Sequence, residues 1–490
     1  MTAAGSTERR RRALGVLMPG FVGTTLPDWL RSLLEDGLGG ICLFGHNVDG
    51  PAQVAALTAA IYSANQHAIV SMDEEGGDVS RLHQRDGSPF PGNAVLGRID
   101  DIEATRAVAR EVGTQLAGVG IHLTLAPDAD VNSNPDNPVI GVRSFGADPD
   151  AVAAHTAAWT DGVQAAGVAA CAKHFPGHGD TSTDSHVSEP VVTADAATLS
   201  GRELVPFSAA IAADTKTIMT SHIRVPALDP DNVATFSQPI LGDLLRGRLG
   251  FDGVIVTDAL DMAGASGTRG IPAAAVAAVA AGSDLLCVGS NTSEREMHDI
   301  VEALVNADLA GELPTGRLSD AADRCSALAR WAADRRRGGP PEADAARESA
   351  VSARAVAASF TLSERAENVL ATGAQPVRWV QIEPEPNVAV GDTPFGPFFE
   401  GGAVPSLVVP INDRGSADSY VAEAGVLTVV VGRELHRDGG ALAAATTIAG
   451  KSEALMVDMG FAHSDDVDIA TFGASRLVGE ALLELLRAPA

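Results

Sequence analysis

From residue 13 to about 290 the chain alternates short apolar runs with helix-like stretches, and this rhythm constrains the fold more than any other feature. The runs are ALGVLMPGF, GLGGICLF, AIVSMDEEGG, IHLTLAPDADV, VAACAKHFPG, TIMTSHI, GVIVTDAL and SDLLCVG, eight in all. Alanine-rich or charged amphipathic segments separate them, among them 102–118, 151–166 and 203–213. A short apolar run followed by a helical segment is the βα unit of a parallel sheet. Eight such units in about 300 residues predict a (β/α)8 TIM-type barrel, with a doubly wound open sheet as the alternative.

The barrel makes a demand that the sequence can meet. In that fold the reactive side chains come from the carboxyl ends of different strands. The third run ends in Asp73-Glu-Glu-Gly-Gly with Arg81 shortly after, and the fourth leads into Asp128, Asp130 and Asn132. The fifth delivers Lys173 and His174, the sixth His222 and the seventh Asp258. Ionisable groups at five strand ends would all face one side of the barrel.

After the barrel, 318–336 reads as a long helix, and Gly338-Gly-Pro-Pro341 breaks the pattern as a linker does. The predicted organisation is a catalytic barrel over 1–337, a linker at 338–341 and a smaller α/β domain over 342–490. In the latter a helix near 342–358 precedes the runs VRWVQIE, SLVVPIN, VLTVVVG and EALMVDMG, and a helix near 474–486 closes it. Its strand ends carry few clustered ionisable groups, which assigns it packing, assembly into a homodimer, or a lid role.

With 35 Lys and Arg against 63 Asp and Glu, the net charge is −28, so nucleic acid and anionic membranes are poor partners. Arg9 to Arg12 precede an apolar run too short for an export signal, and read instead as a charged lead-in to a first strand. Cys42, Cys171, Cys287 and Cys325 are far apart, and three lie in apolar runs. That suits buried thiols in the reducing cytoplasm, with neither a disulfide frame nor a zinc knuckle.

The densest chemistry lies in Lys173 to His186, KHFPGHGDTSTDSH, a glycine-rich loop after an apolar strand. Asp184 and His186, two residues apart, reach each other in extended backbone, and a carboxylate beside an imidazole fixes its tautomer and brings it into the range of acid/base work. A structural metal loop and a plain hydrophilic loop are the alternatives for this stretch alone. Asp258 ends the buried strand VIVTD, where a nucleophile is held ionised on rigid scaffold. A nucleophilic carboxylate opposite a proton donor is the arrangement for retaining glycoside hydrolysis.

These motifs together resemble glycoside hydrolase family 3, in its β-N-acetylhexosaminidase branch. The matching pieces are Asp73-Glu-Glu-Gly-Gly with Arg81, Ala126-Pro-Asp-Ala-Asp-Val-Asn through Arg143-Ser-Phe-Gly, the KHFPGHGDTSTDSH loop, and Gly250-Phe-Asp-Gly-Val-Ile-Val-Thr-Asp258. The resemblance implies Asp258 as nucleophile, His186 as acid/base and Asp184 as its partner. It further implies that Asp73, Arg81, Arg143, Lys173 and His174 hold the sugar. His178 and His222 are expected to serve loop structure or core hydrogen bonding. The implied activity is release of terminal β-linked N-acetylglucosamine from cell-wall or chitin-derived fragments, with a small glycoside as partner and no cofactor or metal.

Three other readings use the same residues differently. Phosphate in place of water as acceptor would make a phosphorylase, since a neutral histidine does not repel a phosphate dianion. A metal-dependent hydrolase would need His174, His178 and His186 as ligands, without a second ligand cluster to support them. A sugar sensor that binds without turnover would have no use for both a nucleophile and a dyad.

Overall fold

The computed structural model describes residues 3–182, 190–267, 269–338, 350–373, 375–385, 389–391, 393–451, 453–461 and 466–487. Contacts divide the chain into two units. The first comprises Met1–Glu74, Thr105–Pro138 and Ala147–Ala346, and the second Glu75–Ala104, Val139–Gly146 and Arg347–Ala490. Two stretches from the first half of the sequence thus group with its last third, a division that does not run along the chain. Of the expected linker 338–341, residues 339–341 lie outside the described residues, as do 342–349 of the helix expected near 342–358; within 350–358 the helix is Ala353–Ala358.

In the first unit each of the eight apolar runs contains a strand: β1 Leu17–Met18, β2 Gly40–Leu43, β3 Ile69–Met72, β4 Leu123–Thr124, β5 Cys171–Phe175, β6 Thr217–Thr220, β7 Val254–Val256 and β8 Leu286–Cys287. Every residue of these strands is buried. Pairing follows chain order. β2 is parallel to β3 and β3 to β4. A parallel bridge, Leu123 to Ala169, leads from β4 towards β5, which is parallel to β6, and β6 to β7. A second bridge, Val256 to Leu285, leads from β7 to β8, and β8 pairs in parallel with β1. Between β1 and β2, Cys42 N–H donates to Pro19 O at 3.0 Å. The connections are helical, including Pro51–Ala64, Ile102–Gly118, Pro149–Ala165, Leu204–Ala212 and Ile271–Ala281.

Strand alternation sends one face of each strand inward. Met18, Cys42, Ile69, Leu123, Cys171, Met219, Val256 and Cys287 meet in a single buried cluster, one residue from each strand. Cys325, Leu328 and Ala329 of the helix Arg317–Arg337 close onto it. The opposite faces of β5, β6 and β7 pack Ala172, Phe175, Ile218 and Ile255 against Phe207 of Leu204–Ala212. All four cysteines are free and buried.

Arg9 to Arg12 do not lead into the first strand in extended form. They lie in the helix Ala3–Gly15, which has taken Ala13 and Leu14 from the apolar run and left β1 two residues long. Ala13 and Leu14 are buried, and Arg9 pairs with Asp308, so the helix is held by tertiary contacts that its polar sequence does not announce.

The second unit holds a six-stranded sheet of β9 Thr361–Leu362, β10 Val377–Ile382, β11 Leu407–Val409, β12 Leu427–Gly432, β13 Ala454–Asp458 and β14 Ile469–Ala470. Its spatial order is β9-β14-β13-β12-β10-β11, parallel except for β9 at one edge. The four apolar runs read from the sequence are β10 to β13. Helix Gly439–Ala449 covers one face through Ala441, Ala444, Ala445 and Ile448, and Arg476–Arg487 closes the chain. Among the described residues no helix is long and apolar enough to cross a membrane.

Candidate active site

The polar centre of the first unit is built on β5. Its register against β6 shifts between Ala172 and Phe175, so the strict alternation of the strand breaks at its carboxyl end. Cys171 faces the interior cluster and Phe175 the helices, while Lys173 and His174 between them are both buried and both engaged by carboxylates. Lys173 Nζ donates to Asp73 Oδ1 at 2.8 Å, joining the end of β5 to the residue that follows β3. His174 Nδ1 donates to Asp130 Oδ2 at 2.7 Å, and Asp128 Oδ2 lies 3.9 Å from the same nitrogen.

Asp130 is fully buried and gathers more than the imidazole. Its Oδ1 accepts the His178 amide at 2.6 Å, and the His174 amide lies 3.3 Å from both oxygens. Burial alone would raise this carboxyl, but the charge and hydrogen bond of His174, then His178, outweigh it and hold it below the ordinary value. His178 shows the reverse balance. Burial pushes its imidazole down to about 4, against the pull of Asp130, so it is neutral at pH 7. Its Nδ1 shares a hydrogen bond with Thr181 Oγ1 at 2.8 Å, and its carbonyl accepts Asn137 Nδ2 at 2.9 Å.

Asp258 lies two residues beyond β7, half-buried, with Oδ1 accepting the Ala259 amide at 2.8 Å. The next carbonyl, Ala259 O, accepts from His222 Nε2 at 3.0 Å, while His222 Nδ1 meets Thr235 Oγ1 at 2.8 Å. His222 therefore serves the backbone beside Asp258. Burial pushes the Cys171 thiol up to about 12; the charge of Lys173 lowers it, and those of Asp73 and Asp258 raise it.

Asp128, Asp130 and His174 offer donor atoms within 4.8 Å of one another, a spacing at which a cation can be held. A cation there would displace the 2.7 Å bond between His174 and Asp130. This donor set shares only His174 with the three histidines that a metal reading of the sequence invokes.

Arg81 and Arg143 lie in the second unit. Arg143 is buried at 7% exposure and makes a bidentate pair with Glu75, at 3.0 Å from Nε and 2.8 Å from Nη2. Arg81 donates to the carbonyls of Ala389 at 2.7 Å and Val390 at 3.2 Å. The strand ends of this unit are more heavily charged than the sequence suggests. Arg433 pairs with Asp78, Arg437 with Glu434 at 3.2 Å, and His436 with Asp458 at 3.3 Å; burial raises the Glu434 carboxyl. The stretch after β12, GRELHRD, looks like a short run of mixed charge until the fold sets the end of β13 beside it.

A family model, the N-terminal domain of glycosyl hydrolase family 3, matches residues 25–328, which carry Asp73, Lys173, His174 and Asp258. The chain belongs to glycosyl hydrolase family 3. Among relatives in the family, beta-hexosaminidase A of Pseudoalteromonas piscicida is 43% identical over 266 residues, half of this chain and 44% of that protein. This chain thus spans less than half of that relative's length. Beta-hexosaminidase of Alkalilimnicola ehrlichii is 37% identical over 285 residues, 56% of this chain and 81% of that protein. A solved structure of a family 3 beta-N-acetylglucosaminidase from Paenibacillus sp. aligns with a TM-score of 0.83 at 29% identity, covering 98% of this chain and 96% of that one.

Of the residues singled out in this family 3 sequence, the structure brings Asp73 and Lys173 into contact, and sets His174 against Asp130. Asp184 and His186 lie outside the described residues. Two further groups escape a motif-based reading. Asp130 was visible only as one of several carboxylates after β4, although its i, i+2 spacing from Asp128 places both on one side of extended backbone. Glu203, at the start of Leu204–Ala212, has no local signal at all.

Proposed function

We propose that the eight parallel strands of the first unit close into a (β/α)8 barrel, and that the chain is a retaining exo-β-N-acetylglucosaminidase. Chain-order pairing, the Cys42 to Pro19 bond and the cluster with one residue from each strand support the closed ring. The observation that carries the catalytic reading is the Asp73–Lys173 pair at 2.8 Å, which joins the ends of β3 and β5, with Asp258 just beyond β7, in a family 3 chain. The beta-hexosaminidase and beta-N-acetylglucosaminidase relatives supply the sugar.

In this reading an Asp258 oxygen attacks the anomeric carbon as the glycosidic C–O bond breaks, and His186 passes a proton to the departing oxygen. Water then attacks the same carbon, gives its proton to His186 and releases Asp258. Asp184 holds the His186 tautomer and offsets the charge of the imidazolium. The Ala259 amide on Oδ1 of Asp258 orients the carboxylate. Asp73, held by Lys173, accepts two sugar hydroxyls, and His174 presents Nε2 because Asp130 occupies Nδ1. Arg81 and Arg143 are proposed as further sugar-binding residues by the family resemblance alone, Arg143 as a donor fixed by Glu75. The ligand is a small glycoside of cell-wall or chitin origin, taken up in the cytoplasm, and the residues after 341 serve packing, dimerisation or a lid.

The test is turnover of chromogenic β-N-acetylglucosaminides with good and poor leaving groups, with and without millimolar phosphate, and mass spectrometry of the trapped enzyme. Asp258→Asn abolishes the glycosyl adduct while the fold persists. His186→Ala slows poor leaving groups far more than good ones; equal slowing overturns its role as proton donor. N-acetylglucosamine-1-phosphate as product, at a rate rising with phosphate, replaces the hydrolase by a phosphorylase.

A further inference from the structure

Glu203 is 1% exposed, yet the reaction above has no use for it. Its Oε1 accepts from Arg202 Nε at 2.5 Å, and Arg202 Nη2 donates to Asp180 Oδ2 at 2.7 Å. Its other oxygen, Oε2, is buried and has no hydrogen-bond partner among the described residues. A buried carboxyl with one idle oxygen is a costly way to fill space, and asks for a reason.

The reason lies in what Glu203 touches. Gly177 stands at φ +126°, and a Cβ there would fall 2.8 Å from Glu203 Cβ and 2.9 Å from Oε2. On the far side of the same turn, a Cβ at Gly179 would fall 1.7 Å from Val131 O. The backbone from Pro176 to Asp180 is thus clamped between Glu203 and the segment that carries Asp130. The Gly177 amide donates to His174 O at 2.8 Å, and the His178 amide to Asp130 at 2.6 Å. A shift of this turn therefore moves His174 and its carboxylate together.

We propose that Glu203 is a positioning residue, which sets the Pro176–Asp180 turn by contact at Gly177 and through Arg202 and Asp180, and so places Lys173 and His174 for the sugar. This rests on the glycosidase reading. Burial pushes its carboxyl up to about 7; Arg202 opposes that, and Asp130 and Asp180 add to it. His178, on the same turn, is neutral at this pH and does not compete. Ionised Glu203 holds Arg202 firmly and with it the Asp180 end of the turn. Protonated Glu203 loosens that hold, so sugar binding weakens as pH falls through about 7. Stability runs the other way: with a folded value above the ordinary 4.5, this group's contribution is whole below 4.5 and is lost as pH rises through about 7.

The experiment compares wild type, Glu203→Gln and Glu203→Asp from pH 5.5 to 8.5, reading kcat and KM on a chromogenic β-N-acetylglucosaminide. Hydrogen exchange of a peptide spanning 175–182 is followed at each pH. Glu203→Gln, near-isosteric and neutral, raises KM about tenfold at pH 8, roughly the worth of one hydrogen bond to a charged group, with a smaller change in kcat. It also flattens the KM profile and speeds exchange of the turn at pH 8 to the neutral-state level. Glu203→Asp retains the pH dependence with a partial rise in KM. Parallel KM profiles for wild type and Glu203→Gln, with equal exchange, overturn the proposal. If the wild type turns over no β-N-acetylglucosaminide, the glycosidase reading fails, and the exchange data alone decide whether Glu203 sets the turn.

Discussion

Replacing Asp130 by Asn tests whether one buried carboxylate organises the centre of the first unit. Asp130 is fully buried and takes the His174 imidazole at 2.7 Å and the His178 amide at 2.6 Å. Hydrogen bonds to a charged acceptor contribute about 1.5–3 kcal/mol each. An asparagine keeps one oxygen for the His178 amide, but turns an N–H2 group on the His174 N–H. One charge-assisted bond is then lost, the other is weakened, and two donors face each other in a dry site. The expected loss is about 3 kcal/mol, or roughly 3–5 °C in melting temperature for a chain of this size. Calorimetry at pH 7 measures it, and the KM for a β-N-acetylglucosaminide rises in parallel because His174 is no longer held in one tautomer. The pH dependence adds a second check. The Asp130 carboxyl is held below its ordinary value, so its contribution is present above about pH 4 and fades only as pH falls below that. The gap between wild type and variant therefore narrows as pH falls below about 4. A variant that melts within about 1 °C of wild type, well inside the roughly 3–5 °C expected, would refute the claim that Asp130 orders this site.

Two further substitutions probe the rest of the fold. Arg143→Ala removes the bidentate partner of Glu75, itself 2% exposed, and is expected to cost about 3–5 kcal/mol, read as a lower melting temperature that Arg143→Lys restores only in part. Gly179→Ala forces a methyl group against Val131 O, which shifts the Pro176–Asp180 turn at about 1–3 kcal/mol and weakens sugar binding; an unchanged KM would show that the turn does not place Lys173 and His174.

The strands were legible because burial on both faces demands continuous apolar runs, and glycine or proline punctuates them; all eight runs of the first region hold a strand, as do all four read in the second region. The two-residue strands Thr361–Leu362 and Ile469–Ala470 were not, since two residues show no periodicity. Arg9 to Arg12 misled for a related reason. A polar helix held by tertiary contacts carries no amphipathic signature, and its apolar end resembles the strand that follows.

The sequence by itself determined which residue types stand at which strand ends, because the apolar runs locate the strands and the polar residues after them are local facts. It also determined the family, because the order and spacing of the motifs are read along the chain. Only the tertiary structure decided the partners. Asp73 and Lys173 are 100 positions apart, and His174 and Asp130 are 44 apart. Nothing local to either member of these pairs names the other. The same holds for Arg143, which the sequence offered as a donor for sugar and the fold ties to Glu75, and for Glu203, buried against Gly177 by a helix that starts beside it. Strand and motif are short-range properties of a chain, whereas the pairing of buried charges is settled by which segments the packed core brings within hydrogen-bonding distance.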